Sequence, residues 1–216
     1  MSHTGVKRRI FRFWILTICI GFASSLAFLW LAETVRHGTQ LACETAITSK
    51  LQKPAAHWAN AVMYLVARSG DINEIVILAV IAVLVLKRKQ RMADAFFVTI
   101  TVVGVVVLNL VVRASVQRPL LLSDESFAPT FDSGFPSSQA ADTFALVFVL
   151  TVLCWPTQWR WPMAVAGASF LLAVGLSRVH LGMHYPSDIL GGWLLALTWV
   201  LIANFKRMSR LSKLQS

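Results

Sequence analysis

The stretch Ser177–Asp188, SRVHLGMHYPSD, sets an arginine, two histidines and an aspartate between two apolar runs. Ionisable groups are costly in such surroundings and persist where they act. Ser177-Arg178 is followed by five residues, His184, three residues and Asp188. A carboxylate one helical turn from a histidine can fix the ring tautomer and stabilise its charge, leaving the other nitrogen free to attack. Arg178 can offer planar donors to an anionic group above that nitrogen, and phosphate is the natural match. Three readings compete: a polar loop at the water interface, a metal site, or phosphoryl chemistry on histidine. His180, His184 and Asp188 recur every four residues, as metal ligands on one helix would. Gly182 and Pro186 interrupt any such helix and no Cys or Glu completes the set, so neither a metal nor another cofactor is expected.

The flanking composition sets the solvent. At 216 residues the chain is one domain by length, residues 1–216, and 56% of it is apolar. A mean hydropathy of +0.66 belongs to a membrane protein. The net charge is +10, yet the cations sit at the ends of apolar runs and form no basic groove, so no nucleic-acid partner is expected. Cys19, Cys43 and Cys154 are scattered without metal-type spacing, and no disulfide is inferred. Lys7, Arg8 and Arg9 precede an apolar stretch in the manner of a signal peptide. Ile10–Ala32 is too long for a signal core and lacks a small-x-small cleavage site, so it reads as a retained membrane helix.

Six apolar runs can span a bilayer, which takes about 20 residues each: 10–32, 72–87, 95–115, 141–157, 162–178 and 188–205. The fold expected is an all-α integral membrane protein with six transmembrane helices. The 33–71 stretch is too polar to span and too apolar for a plain linker, and within it HWANAVMYLVARSG suits an interfacial helix. Lys7, Arg8, Arg9, Arg12, Lys87, Arg88, Lys89, Arg91, Arg160, Lys206, Arg207, Arg210 and Lys213 fall on one side, thirteen of the 20 Lys and Arg, joined there only by Asp94 among the ten acidic residues. The positive-inside rule makes that side, and both termini, cytoplasmic. Trp155, Trp159 and Trp161 bracket the inner loop as interface aromatics. The loops at 116–140 and 177–188 then share the outer face, where a headgroup can meet them while its tail stays in lipid.

The outer loop before the fourth run ends in Pro136, Ser137, Ser138 and Gln139. Small hydroxyl residues at a helix start either cap the helix or leave backbone N–H groups to bind an anion. Arg113 and Arg118 precede that loop. Five residues apart, they lie roughly 140° around an ideal helix and converge only if the helix ends between them; Arg113 can instead snorkel to the interface.

The pattern Ser177, Arg178, His184, Asp188 resembles the third signature motif of the type 2 phosphatidic acid phosphatase (lipid phosphate phosphatase) family, complete at every defining position. The resemblance covers roughly 60–205. Pro136-Ser137-Ser138-Gln139 stands where that family has Pro-Ser-Gly-His, with Gln139 at the position of its proton donor. An amide cannot donate a proton at neutral pH. The family's first motif is Lys, six residues, Arg-Pro. Arg118-Pro119 fits its end but leaves Val111 at the lysine; in the alternative register Arg113 stands for the lysine and Leu120-Leu121 for Arg-Pro.

The resemblance implies a periplasmic-face site in a bacterial inner membrane and a metal-free, two-step phosphatase. His184 attacks phosphorus to give a phosphohistidine, and water releases phosphate. Asp188 orients His184, while Arg178, Arg118, Arg113 and the Ser137/Ser138 backbone hold phosphoryl oxygens. His180, four residues from His184, is a candidate to stand in for the lost donor. The substrate expected is a lipid phosphate or diphosphate, with polyprenyl diphosphate favoured because its leaving group is already a stable anion. Two alternatives remain open: a lipid phosphotransferase, and a non-catalytic protein that binds or transports lipid phosphates.

Overall fold

The structure, a computed structural model, describes residues 3–38, 41–52, 56–119 and 133–214. Eight helices form among them: α1 (His3–Arg36), α2 (Ala42–Leu51), α3 (His57–Ser69), α4 (Ile72–Arg88), α5 (Met92–Val116), α6 (Ser138–Cys154), α7 (Arg160–His180) and α8 (Pro186–Leu214). The six apolar runs coincide with α1, α4, α5, α6, α7 and α8. Helix ends follow local chemistry. Ser137 caps α6 by accepting the Ala140 N–H, Pro186 opens α8 where its missing N–H removes no helical bond, and α5 stops at Gln117, whose φ of 51° is left-handed.

Length and composition qualify α1, α5, α7 and α8 as membrane spans. The remaining two of the six expected spans, α4 and α6, do not qualify singly. Helices α4 and α6 have 17 residues each, about 26 Å at the helical rise and short of a hydrocarbon core of about 30 Å. Helix α3 joins α4 across a 49° bend, and the pair qualifies together as one broken span. The stretch expected to form an interfacial helix is helical as α3, and it packs on α7. Helix α2 had no counterpart among the expected elements.

Helix α8 is the axis of the bundle. Helices α1, α5 and α6 pack along it, α5 and α6 pack on each other, α4 lies on α5, α7 on α6, and α2 touches both α7 and α8. Phe97, Val98 and Val102 of α5 meet Ile75 and Ala79 of α4 and Leu146 and Val149 of α6. Leu16, Phe22, Leu29 and Trp30 of α1, Val111 of α5 and Val165 and Leu172 of α7 stay exposed. An apolar surface of that extent is lipid-facing, and the protein is an integral membrane protein. Near the loop between α6 and α7, Trp155, Trp159 and Trp161 are all exposed. Asp94, buried at the start of α5, takes Arg91 on one oxygen and Arg207 of α8 on the other, at 2.7 Å each.

At the other end the chain entering α6 is clamped onto α8. Phe135 stacks on Phe28 of α1, centroids 6.1 Å apart, and lies over Gly191. A Cβ on Gly192 would stand 2.6 Å from the Ser137 carbonyl oxygen and 3.1 Å from the Ala141 nitrogen, closer than backbone allows. Gly192→Ala is expected to destabilise the fold by about 1–3 kcal/mol through overpacking. A melting curve in detergent checks this against Gly21→Ala, where the nearest atom would be Leu201 Cδ1 at 3.7 Å; equal melting of the two variants would contradict the clamp.

Candidate active site

Helix α7 ends at His180, and a short turn through Gly182, φ +73°, leads to Pro186. The N–H groups of Met183 and His184 fold back onto the Arg178 carbonyl. This turn buries His184 between the ends of α6, α7 and α8, with 5% of its surface exposed. Its Nδ1 lies 3.0 Å from the Gly134 carbonyl oxygen. A carbonyl only accepts, so Nδ1 carries the proton and Nε2 the lone pair. Asp188 Oδ2 stands 3.5 Å from the same Nδ1, near enough to stabilise positive charge on the ring. The tautomer is therefore held by Gly134, which the sequence did not indicate, and the charge by Asp188.

Asp188 is 1% exposed and saturated with partners. Its Oδ1 accepts from Arg118 Nη1 at 2.6 Å, its Oδ2 from the Tyr185 N–H at 2.8 Å, and its carbonyl from the Ser137 N–H at 3.0 Å. The Ser137 N–H is consequently not available to an anion. The N–H groups of Ser138 and Gln139, in the first turn of α6, have no hydrogen-bond partner among the described residues.

The arginines separate. The chain turns at Gln117, so the helix does end between Arg113 and Arg118, yet the two side chains do not meet. Arg118 donates to Ser187 Oγ at 2.7 Å, to Asp188, and to Glu44 Oε2 of α2 at 3.3 Å, and it stacks over the Tyr185 ring. Arg113 Nη1 donates to Ser138 Oγ at 3.1 Å. Arg178 Nη2 donates to the Ala67 carbonyl at 2.9 Å and pairs with Asp71 at the start of α4. Glu44 and Asp71, carboxylates on two of the expected phosphate ligands, were not legible as site residues; their partners lie far away in the chain. The Leu120-Leu121 register lies outside the described residues.

His180 does not stand in for the missing donor. Its Nδ1 lies 2.6 Å from the Leu51 carbonyl and its Nε2 lies 2.9 Å from Asn60 Oδ1, so both nitrogens are engaged by the helical pair α2 and α3. Among the described residues there is no cluster of three metal-ligating side chains.

A cavity of about 370 Å³ lies under the first turn of α6. Arg113, Ser138 and Gln139 line it together with Asp71, Asn109 and Asp142. The expected site residues thus fall into two adjoining groups. His184, Asp188 and Arg118 form one, Arg113, Ser138 and Gln139 the other, and Arg178 reaches the second through Asp71.

Residues 93–209, just over half of the chain, match the PAP2 superfamily. YbjG of Escherichia coli (strain K12), whose name carries a provisional undecaprenyl-diphosphatase assignment, is 36% identical over 72 residues, 33% of this chain and 34% of that protein. The undecaprenyl-diphosphatase of Sulfolobus acidocaldarius is 28% identical over 148 residues, 65% of this chain and 66% of that protein. The chain therefore matches under two thirds of the length of either relative. The crystal structure of the first transmembrane PAP2 type phosphatidylglycerolphosphate phosphatase from Bacillus subtilis superposes with a TM-score of 0.76 at 21% identity. That likeness covers 88% of this chain and 96% of that one, and it speaks for the fold. With the matched segment carrying the Arg178–His184–Asp188 turn and both ends of α6, the chain belongs to the PAP2 superfamily.

Proposed function

We propose that this protein is a lipid phosphatase that hydrolyses a polyprenyl diphosphate through a phosphohistidine on His184. The observation that carries the reading is the His184 ring. Its Nδ1–H is pinned by the Gly134 carbonyl, Asp188 lies beside it, and Nε2 keeps a lone pair with no hydrogen-bond partner among the described residues. Two relatives are named for undecaprenyl-diphosphatase activity, which supports a diphosphate as the class of substrate.

In the first step the Nε2 lone pair forms the N–P bond, and the bridging P–O bond breaks toward the lipid monophosphate. The ring then carries positive charge, which the Asp188 carboxylate at 3.5 Å offsets. Arg178, Arg118 and Arg113 hold the equatorial oxygens, where charge spreads in phosphoryl transfer. Two of these cations are already partnered by carboxylates, so the incoming phosphate competes with Asp71 for Arg178 and joins Glu44 and Asp188 at Arg118. The N–H groups of Ser138 and Gln139 add a helix start aimed at an anion. In the second step water displaces the histidine and inorganic phosphate leaves. The site lies at the bundle end opposite Lys87, Arg88 and Arg160, which supports an outer-face site, cytoplasmic termini and residence in a bacterial inner membrane.

Gln139 sharpens the choice of substrate. A phosphate monoester expels an alkoxide and gains about 10²–10⁴-fold from general acid help, whereas a diphosphate expels a stable anion. Purified protein in detergent with chelator present is expected to release phosphate from polyprenyl diphosphate faster than from phosphatidic acid, because the diphosphate has the better leaving group. Comparable turnover of the two lipids, or dependence on added metal, would count against the reading. His184→Gln is expected to lose both turnover and any acid-labile, base-stable phosphoprotein trapped from labelled diphosphate. Phosphate that reappears on an added lipid acceptor and not in water would instead identify a phosphotransferase.

A further inference from the structure

The cavity under α6 contains more polar chemistry than phosphate binding needs. Asp142 is three residues beyond Gln139 and four beyond Ser138, so all three share a helix face, and all three line the cavity. Asp142 is 3% exposed and Asn109, facing it from α5, is 2% exposed. Asp142 Oδ1 and both polar atoms of the Asn109 side chain are buried with no hydrogen-bond partner. Each such orphan carries a desolvation cost that an apolar residue would avoid.

The cavity also shares groups with the proposed phosphate site. Arg113, bonded to Ser138, lines it, and Arg178 is tied to it through Asp71, which lines it as well. The chain that holds His184 through the Gly134 carbonyl runs directly into the turn bearing Ser138 and Gln139. Ile72 and Leu110, both exposed on the outside of the bundle, also line the cavity. A lipid whose phosphoryl group is held by Arg113 and the start of α6 can thus present its bridging oxygen to Asp142 and lead its tail out into the bilayer.

Resting on the phosphatase reading above, the geometry points to Asp142 as the acid–base residue of this protein, in place of the proton donor absent at Gln139. As His184 Nε2 forms its bond to phosphorus and the bridging P–O bond breaks, the departing oxygen takes the electron pair and accepts the Asp142 proton. A water in the cavity, held by Asn109 and the new carboxylate, then attacks the phosphohistidine. It gives its proton to Asp142 as the P–N bond breaks, the electron pair returns to Nε2, and phosphate leaves. Asp142 ends as it began. Its alternative occupation is structural, as a countercharge for Arg113, whose charge acts on it across the cavity.

The test compares wild type with Asp142→Asn, which keeps shape and removes the exchangeable proton. Substrates are polyprenyl diphosphate, phosphatidic acid and p-nitrophenyl phosphate, whose leaving group needs no protonation. The expected result is a fall of about 10²–10⁴-fold on phosphatidic acid, a smaller fall on the diphosphate, and less than about tenfold on the aryl phosphate. Adding Gln139→His to Asp142→Asn is expected to restore most of the lost turnover, which a structural countercharge would not do. Wild-type rates in Asp142→Asn, an equal fall on all three substrates, or no recovery in the double variant overturns the assignment while leaving the phosphatase reading standing. Phosphate release that survives His184→Gln, or none from wild type, overturns that reading and this one with it.

Discussion

The site depends on the buried contacts of Asp188. Through two carboxylate oxygens and one carbonyl it gathers the end of α5 at Arg118, the turn before α8 at Tyr185, and the start of α6 at Ser137. A carboxylate that is 1% exposed in a membrane protein is tolerable only when its lone pairs are filled. Filling them draws three chain segments to one point. The same convergence brings the Gly134 carbonyl onto His184 and so decides which ring nitrogen keeps its lone pair. Structural cohesion and the orientation of the His184 ring here have one cause.

Charge balance explains the remaining carboxylates. Arg118 and Arg178 lie almost wholly out of water, where an unpaired cation is expensive. Glu44 and Asp71 neutralise them, one from a helix in the 33–71 stretch and one from the break between α3 and α4. These partners hold the cations in place, so that under the proposed function a phosphate would exchange one anion for another. Arg113 is arranged differently, reaching a hydroxyl on α6 and facing Asp142 across a cavity. The site therefore combines a tightly paired half around His184 with a half that retains open polar capacity.

Close helix approach makes the convergence possible. Gly192 lets α8 touch the backbone at the start of α6, and Gly191 gives Phe135 a flat seat. Phe135 in turn stacks on Phe28 and joins the segment before α6 to α1. The carbonyl that orients His184 belongs to the residue just before Phe135, so an apolar anchor supports a polar contact one residue away.

Hydropathy alone located six of the eight described helices, the four from α4 to α7 with ends within three residues, because long apolar runs ended by charges leave little freedom in a bilayer. The spacing of Arg178, His184 and Asp188 likewise exposed the reactive turn, since its partners lie within twelve residues of one another. Helix α2 was hidden by mixed composition, and the break at Gly70–Asp71 turned an expected interfacial helix into part of a bent span. The roles of Glu44, Asp71 and Gly134 were illegible because their partners are 74, 107 and 50 residues away. Asp142 was visible as a lone carboxylate in an apolar run, but its meaning lay in what faces it. The sequence by itself determined a membrane bundle with a histidine–aspartate turn, because hydropathy and helical periodicity act locally. Only the tertiary structure decided which nitrogen is free, which arginines are already paired and where the open cavity lies, because those follow from contacts between segments remote in the chain.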